Sequence, residues 1–128
     1  CLMMLDIDYF KSINDQFGHA VGDEVLKELA RLIDGQRREA DSFFRIGGEE
    51  FCLTTFASNG DNLRTAAEKI RRTVAEHPFD KIAHLTISIG ATAYRQGDDY
   101  YSLFKRADAA LYEAKQAGRN RVVVAKPV

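Results

Sequence analysis

Two groups of carboxylates and one pair of glycines are the residues of this chain best suited to chemistry. Gly47-Gly48-Glu49-Glu50-Phe51 sets two glycines directly before two glutamates, and Asp6-Ile7-Asp8 ends an apolar run near residue 1. A backbone without Cβ atoms can come close to a phosphate, and carboxylate oxygens hold hard divalent cations. Glycines and acids on one tight turn therefore suit a nucleoside triphosphate bound through Mg²⁺. The same five residues also make an ordinary hairpin turn between apolar strands. An Asp-x-Asp by itself is most often solvated or caps a helix, so the elements around both groups decide the matter.

Those elements follow from periodicity. Leu2 to Ile7 is a continuous apolar run ending in acids, which suits a central strand buried on both faces. On such a strand Asp6 and Asp8 share one face and Ile7 points the other way. Ser12 to Gly18 mixes polar residues with turn formers. From His19 to about Asp34 the apolar positions Val21, Val25, Leu26, Leu29, Leu32 and Ile33 keep helical spacing, with Gly35 as a stop. Ser42 to Ile46 and Glu50 to Phe56 read as an antiparallel hairpin around the Gly-Gly turn. Leu63, Ala66, Ala67, Ile70 and Val74 mark another helix, closed by Pro78. Leu85 to Ala93 alternates like a strand. Leu103, Ala107, Ala110, Leu111 and Ala114 mark a long helix ending at Gly118, and Arg121 to Ala125 is a last strand. This order suits an α+β fold, with helices flanking a central antiparallel sheet.

Bulk properties bound the function. The 128 residues form one domain, long enough for a sizeable core. With 18 basic and 19 acidic residues the net charge is −1, which gives no reason to expect a nucleic acid polymer as partner. Cys1 and Cys52 have no metal-like spacing, and no His/Cys cluster suggests zinc. Cys52 reads as a small core residue. Reduced thiols and a cytoplasmic setting are expected. No apolar run approaches the roughly 20 residues of a membrane span, so this segment is not expected to be membrane-embedded. It could be the cytosolic part of a membrane-bound sensor. The three histidines, His19, His77 and His84, have no partners in sequence that suggest chemistry. Phe43, Phe44, Phe51, Phe56, Phe104 and Tyr112 read as core rather than as a platform for stacking bases.

Three stretches together carry a resemblance. Leu5-Asp6-Ile7-Asp8-Tyr9-Phe10-Lys11-Ser12-Ile13-Asn14-Asp15-Gln16-Phe17-Gly18-His19-Ala20-Val21-Gly22-Asp23 resembles the first signature of the GGDEF family. Arg45-Ile46-Gly47-Gly48-Glu49-Glu50-Phe51 resembles its name-giving motif, with Glu in the third position. Ala107-Asp108, Ala110-Leu111-Tyr112, Ala114-Lys115 and Gly118-Arg119-Asn120-Arg121 resemble its C-terminal signature. The three occur in the family's order and spacing across essentially the whole chain. The resemblance implies the ferredoxin-like, palm-type cyclase fold, with the hairpin turn beside the end of the first strand. It implies a diguanylate cyclase, which condenses two GTP into cyclic di-GMP and releases pyrophosphate. Family members usually carry an Asp-x-Leu-Thr-Gly-Leu-x-Asn-Arg-Arg stretch and a helix before the first strand. The sequence opens inside that strand, at Cys1-Leu2-Met3, so the resemblance places that stretch outside these residues.

The resemblance also assigns roles. Asp6 and Glu49, with the Ile7 carbonyl, would hold Mg²⁺ or Mn²⁺. Glu50 would be a further metal ligand or the base for the 3′-hydroxyl, and the sequence does not separate those two roles. Asp8 reads as a structural hydrogen-bonding acid. Gly47 and Gly48 would admit the phosphates, and Lys11, Lys115 and Arg119 would meet them. Asn14 and Asp23 would read the guanine edge, where a carboxylate accepts from both guanine donors. Arg38-Glu39-Ala40-Asp41 is separated from Gly47 by five residues, a spacing that matches the family's inhibitory site for its product. There Arg38 would fork onto guanine O6 and N7, and Asp41 would accept from N1 and N2. Lys69 occupies a position where an arginine often helps. The implied active species is a homodimer, enforced by an upstream sensory or receiver domain. The main rival is a non-catalytic module of the same fold that binds GTP or cyclic di-GMP.

Overall fold

The computed structural model describes residues 1–57 and 59–126. The element order is β1 (Leu2–Ile7), α1 (Phe10–Phe17), α2 (His19–Asp34), β2 (Ser42–Gly47), β3 (Glu50–Thr54), α3 (Gly60–Glu76), β4 (Ile87–Thr92), α4 (Tyr100–Gln116) and β5 (Val122–Val124). The five strands form one sheet in the order β2-β3-β1-β4-β5. β1 therefore lies in the middle, antiparallel to both β3 and β4. The sheet is mixed rather than purely antiparallel, because β5 joins β4 in parallel.

All six residues of β1 are buried, as its unbroken apolar run requires. Alternation divides them between two cores. Met3, Leu5 and Ile7 pack with residues of α1, α2 and α3 on one side of the sheet. Leu2 and Met4 pack with Cys52, Ala107 and Leu111 on the α4 side. Asp6 continues the Leu2–Met4 face, so the acids emerge where the apolar contact with α4 ends. Cys52 is fully buried there, and burial pushes its thiol up to about 12. Both cysteines are free thiols.

Local sequence fixes the helix ends. The Asn59 side chain accepts from the Asn62 amide to start α3, and Asp99 with Ser102 forms a reciprocal capping box on α4. Arg106 then clamps α4 to the preceding loop through Asp98, Thr92 and the Ala93 carbonyl. No helix among the described residues is long and apolar enough to cross a membrane.

Four details differ from the sequence reading. Residues 12–17 belong to α1 rather than to a turn. That helix is only 8 residues long, buries only Phe10 and Ile13, and has no side-chain cap, so its periodic signal is too short to stand out. β4 begins at Ile87, while the buried Leu85 and the half-buried Thr86 before it are outside the strand. His84 accordingly lies in the connecting loop. Three aromatics expected in the core are exposed: Phe44, Phe56 and Tyr112. Phe44 sits on the edge strand β2, one strand outward of Cys52, Phe56 is in the loop after β3, and Tyr112 lies on the outer side of α4. Phe51 is buried and Phe43 stacks on it at 5.4 Å.

At Gly90 the backbones of β4 and α4 come into close contact. A Cβ there would lie 2.2 Å from the Leu111 amide nitrogen and 2.3 Å from the Ala107 carbonyl oxygen. Both are backbone atoms of a helix, so neither can yield by a rotamer change. Gly90→Ala is expected to lower stability by about 3 kcal/mol or more, through forced separation of helix and sheet. Urea unfolding measures this, and a loss within error of zero would show that the two layers can part freely.

Candidate active site

The site is built where β1 ends. Antiparallel pairing sets Asp6 directly opposite Glu50 of β3, and the Ile7 amide donates to the Glu49 carbonyl at 3.3 Å. Between them Gly48, at φ +51°, makes the turn, and the Arg45 guanidinium donates to its carbonyl at 2.8 Å. The hairpin thus brings both glutamates beside a carboxylate more than forty positions earlier in the chain. From the other layer, the Lys115 ammonium at the end of α4 is ion-paired with Asp6.

This is a cluster of coupled acids. Burial raises the Asp6 carboxyl above its usual range. The Lys115 contact pulls it back, and the neighbouring charges of Glu49 and Asp8 push it up again. Glu50 is raised by burial and then by Asp6. A hard cation would relieve that crowding, and carboxylates with a backbone carbonyl are the donors such an ion takes. The residue types therefore fit the implied Mg²⁺ or Mn²⁺. Their positions are not yet those of a closed cage, since no three His, Cys, Asp or Glu among the described residues converge tightly enough to hold an ion.

Asp8, on the same face, has a different task. Its buried carboxylate accepts from Thr86 Oγ1 at 2.7 Å, from Ser88 Oγ at 2.6 Å and from the Asn120 amide at 2.9 Å. It thereby ties β1, the approach to β4 and the loop after α4 together. This agrees with the structural role read for it.

Three non-glycine residues near this end have positive φ: Tyr9 at 58°, Arg119 at 66° and Asn120 at 46°. Such conformations are unfavourable for side-chain-bearing residues and persist only where surroundings enforce them. The Asp8 contact holds Asn120, whose side chain also accepts from Arg71 of α3. The Arg119 guanidinium lies 4.9 Å from the centre of the Tyr9 ring, a cation–π contact. Thr86, Ser88 and Tyr9 were not singled out from sequence. Nothing in their types signals these roles, which depend on strand pairing and a loop conformation.

α1 brings Asn14 against α2 at the residue before Asp23. The Asn14 side chain lies over Gly22, where a Cβ would meet its Oδ1 at 1.9 Å. Asp23 is exposed beside it, and Lys11 is exposed on α1. Arg38 and Asp41 lie apart, at the opposite end of the β2–β3 hairpin from the glycines. Asp41 is buried and accepts from the Arg38 amide at 3.0 Å and from Thr55 Oγ1 at 2.8 Å. The Arg38 guanidinium donates to Thr55 Oγ1 and to the Phe56 carbonyl. Both residues, with Lys69, line a cavity of about 550 Å³.

The model of the GGDEF family, described as diguanylate cyclase, GGDEF domain, matches residues 1–121. Diguanylate cyclase A of Treponema denticola is 44% identical over 129 residues, covering 98% of this chain and 35% of its own length. The chain thus spans about a third of that relative. The active GGEEF domain of a diguanylate cyclase from Vibrio cholerae superposes with a TM-score of 0.90 at 40% identity, covering 99% of this chain and 83% of that one. The GGDEF domain of DgcB from Caulobacter crescentus, solved in complex with c-di-GMP, gives 0.91 at 36% identity, covering 99% and 78%.

The raised carboxyls predict a stability effect. Asp6 and Glu50 have folded-state pKa values above their ordinary values of 3.8 and 4.5. Folding therefore favours their protonated forms, and that stabilisation is lost as pH rises through the folded values. Glu50→Gln removes one of the crowded charges. Without divalent cations at neutral pH, it is expected to raise the melting temperature by one to a few degrees, as for about 0.5 kcal/mol of relieved repulsion. The gain should vanish in acid below the ordinary carboxylate range. A lower melting temperature at neutral pH would show that the acids do not repel one another.

Proposed function

The chain belongs to the GGDEF domain family of diguanylate cyclases, and from that premise we propose that it condenses two GTP into cyclic di-GMP. The observation that carries this reading is the register Asp6–Glu50, which gathers the acids of two distant motifs with Lys115. Mg²⁺ or Mn²⁺, when bound, would neutralise triphosphate charge and acidify the attacking 3′-hydroxyl.

The chain's own groups do the rest. Asp6, Glu49 and the Ile7 carbonyl would hold the cation, and Glu50 would add a further oxygen or take the hydroxyl proton. Gly47 and Gly48, both exposed and with open space where a Cβ would stand, let the phosphates approach the turn. Lys11, Lys115 and Arg119 bind the triphosphate, and Tyr9 holds the Arg119 guanidinium in position. Asn14 and Asp23 select guanine. Each 3′-oxygen attacks the α-phosphorus of the other GTP. A new P–O bond forms, the bond to the bridging oxygen breaks, and pyrophosphate leaves with its electron pair. One chain presents one GTP, so two chains must face each other for both bonds to form. An upstream sensory or receiver domain would set that encounter. Cyclic di-GMP binding at Arg38 and Asp41 would restrain the enzyme. To bind it, Arg38 must give up Thr55 and Phe56. The setting proposed is cytoplasmic.

Two variants test the acids. Glu49→Gln and Glu50→Gln are each expected to lower cyclic di-GMP formation at least 100-fold, as loss of a transition-state charge contact does, with the circular dichroism spectrum unchanged. Product at wild-type rates from both would remove the assignment and leave a binding module. A third variant tests the base. Asp23→Ala should weaken GTP by roughly 1–3 kcal/mol and ATP far less. Equal losses measured by calorimetry would make Asp23 an ordinary helix-start acid.

A further inference from the structure

Lys115 offers more at this site than a charge for phosphate. Its side chain is 26% exposed, and the Asp6 side chain paired with it is 5% exposed. A pair so far withdrawn from water binds both partners, because removing one leaves a buried uncompensated charge. The surroundings of the pair are negative. Glu49 and Asp8 both act on Asp6, and Glu50 stands opposite on β3. Asp8 already holds two hydroxyls and an amide and has little to offer a cation. Lys115 is therefore the cation that the described residues bring to Asp6.

We propose that Lys115 is the resident counter-cation of Asp6, exchanged for the divalent ion as nucleotide arrives and thereby released to the triphosphate. The identities of that ion and nucleotide rest on the cyclase reading above. Lys115 meets one oxygen of Asp6, and a second cation on the same carboxylate would repel the ammonium, so each weakens the other's hold. Asp6 cannot be the partner that moves, since its strand is paired on both sides. The backbone around Lys115 is also fixed, with Ala117 donating to Glu113 and Arg119 to Ala114. What can move is the four-carbon stem of the lysine, which swings its ammonium through several ångströms. Phosphate that accepts Lys115 thus frees Asp6 for metal, and metal on Asp6 frees Lys115 for phosphate. The coupling is reciprocal by linkage.

The direct test measures Mn²⁺ binding to nucleotide-free protein by electron paramagnetic resonance, in wild type and in Lys115→Met. Removing the competitor should tighten Mn²⁺ about tenfold or more, within the usual span of coupled sites. Equal or weaker binding in Lys115→Met, or none in either protein, overturns the exchange. A measurement on wild type covers the case in which the variant fails to fold. Titration with Mg²⁺ and inorganic pyrophosphate should shift the Lys115 Nζ resonance together with the Asp6 carboxyl resonance. A shift at Asp6 with Lys115 unmoved, or no shift at either, overturns the exchange. Cyclic di-GMP formation is scored separately. Product without Mn²⁺ tightening keeps the cyclase and removes the exchange, and tightening without product does the reverse.

Discussion

The constraint on which this site depends is the antiparallel pairing of β1 with β3. It forces Asp6 and Glu50 to face one another across two hydrogen-bonded strands. Neither can retreat without breaking the central strand of the sheet. The chain answers the repulsion in two ways: it raises the affinity of both groups for protons, and it brings Lys115 from α4 onto Asp6. An array of acids held by backbone register is poised for a divalent cation, because binding one removes a conflict built into the fold.

Everything around that register serves to keep it. Asp8 spends its carboxylate on Thr86, Ser88 and the Asn120 amide, and so fixes the loop that carries Arg119. Tyr9 and Arg119 both adopt left-handed backbone and meet as ring and guanidinium. Gly22 lets Asn14 settle on α2 beside Asp23, and Gly90 lets α4 press onto the sheet that Lys115 must reach across. Positions with locally unfavourable conformations gather on one side of the molecule, the expected signature of a site whose geometry is held by its surroundings.

Much of this was legible in the sequence because it rests on period and order. The apolar run before Asp6 announced a doubly buried strand, and alternation put Asp6 and Asp8 on one face. The hairpin followed from two apolar stretches around Gly47-Gly48. The short α1 escaped notice because two buried residues do not make a clear helical stripe. The exposure of Phe44, Phe56 and Tyr112 escaped because burial depends on where a strand or helix face ends up, and residue type does not record that. The parallel entry of β5 is a matter of chain path, invisible in three valines. The pairing of Lys115 with Asp6, 109 positions apart, needed the fold itself. The spacing of Arg38 and Asp41 points to a recognition pair. In the fold they engage each other and Thr55 and close a loop, a role that spacing alone does not reveal.

The most direct measurement of the central claim is the product itself. The protein is incubated at high concentration with GTP and Mg²⁺, and the mixture is resolved by liquid chromatography and mass spectrometry. Cyclic di-GMP and pyrophosphate should accumulate in a ratio of one to two, at a rate per chain that rises with protein concentration and falls to background when EDTA is added. GTP that is bound but recovered unchanged at every protein concentration would contradict the account, and would mark the gathered acids as a nucleotide-binding site without chemistry.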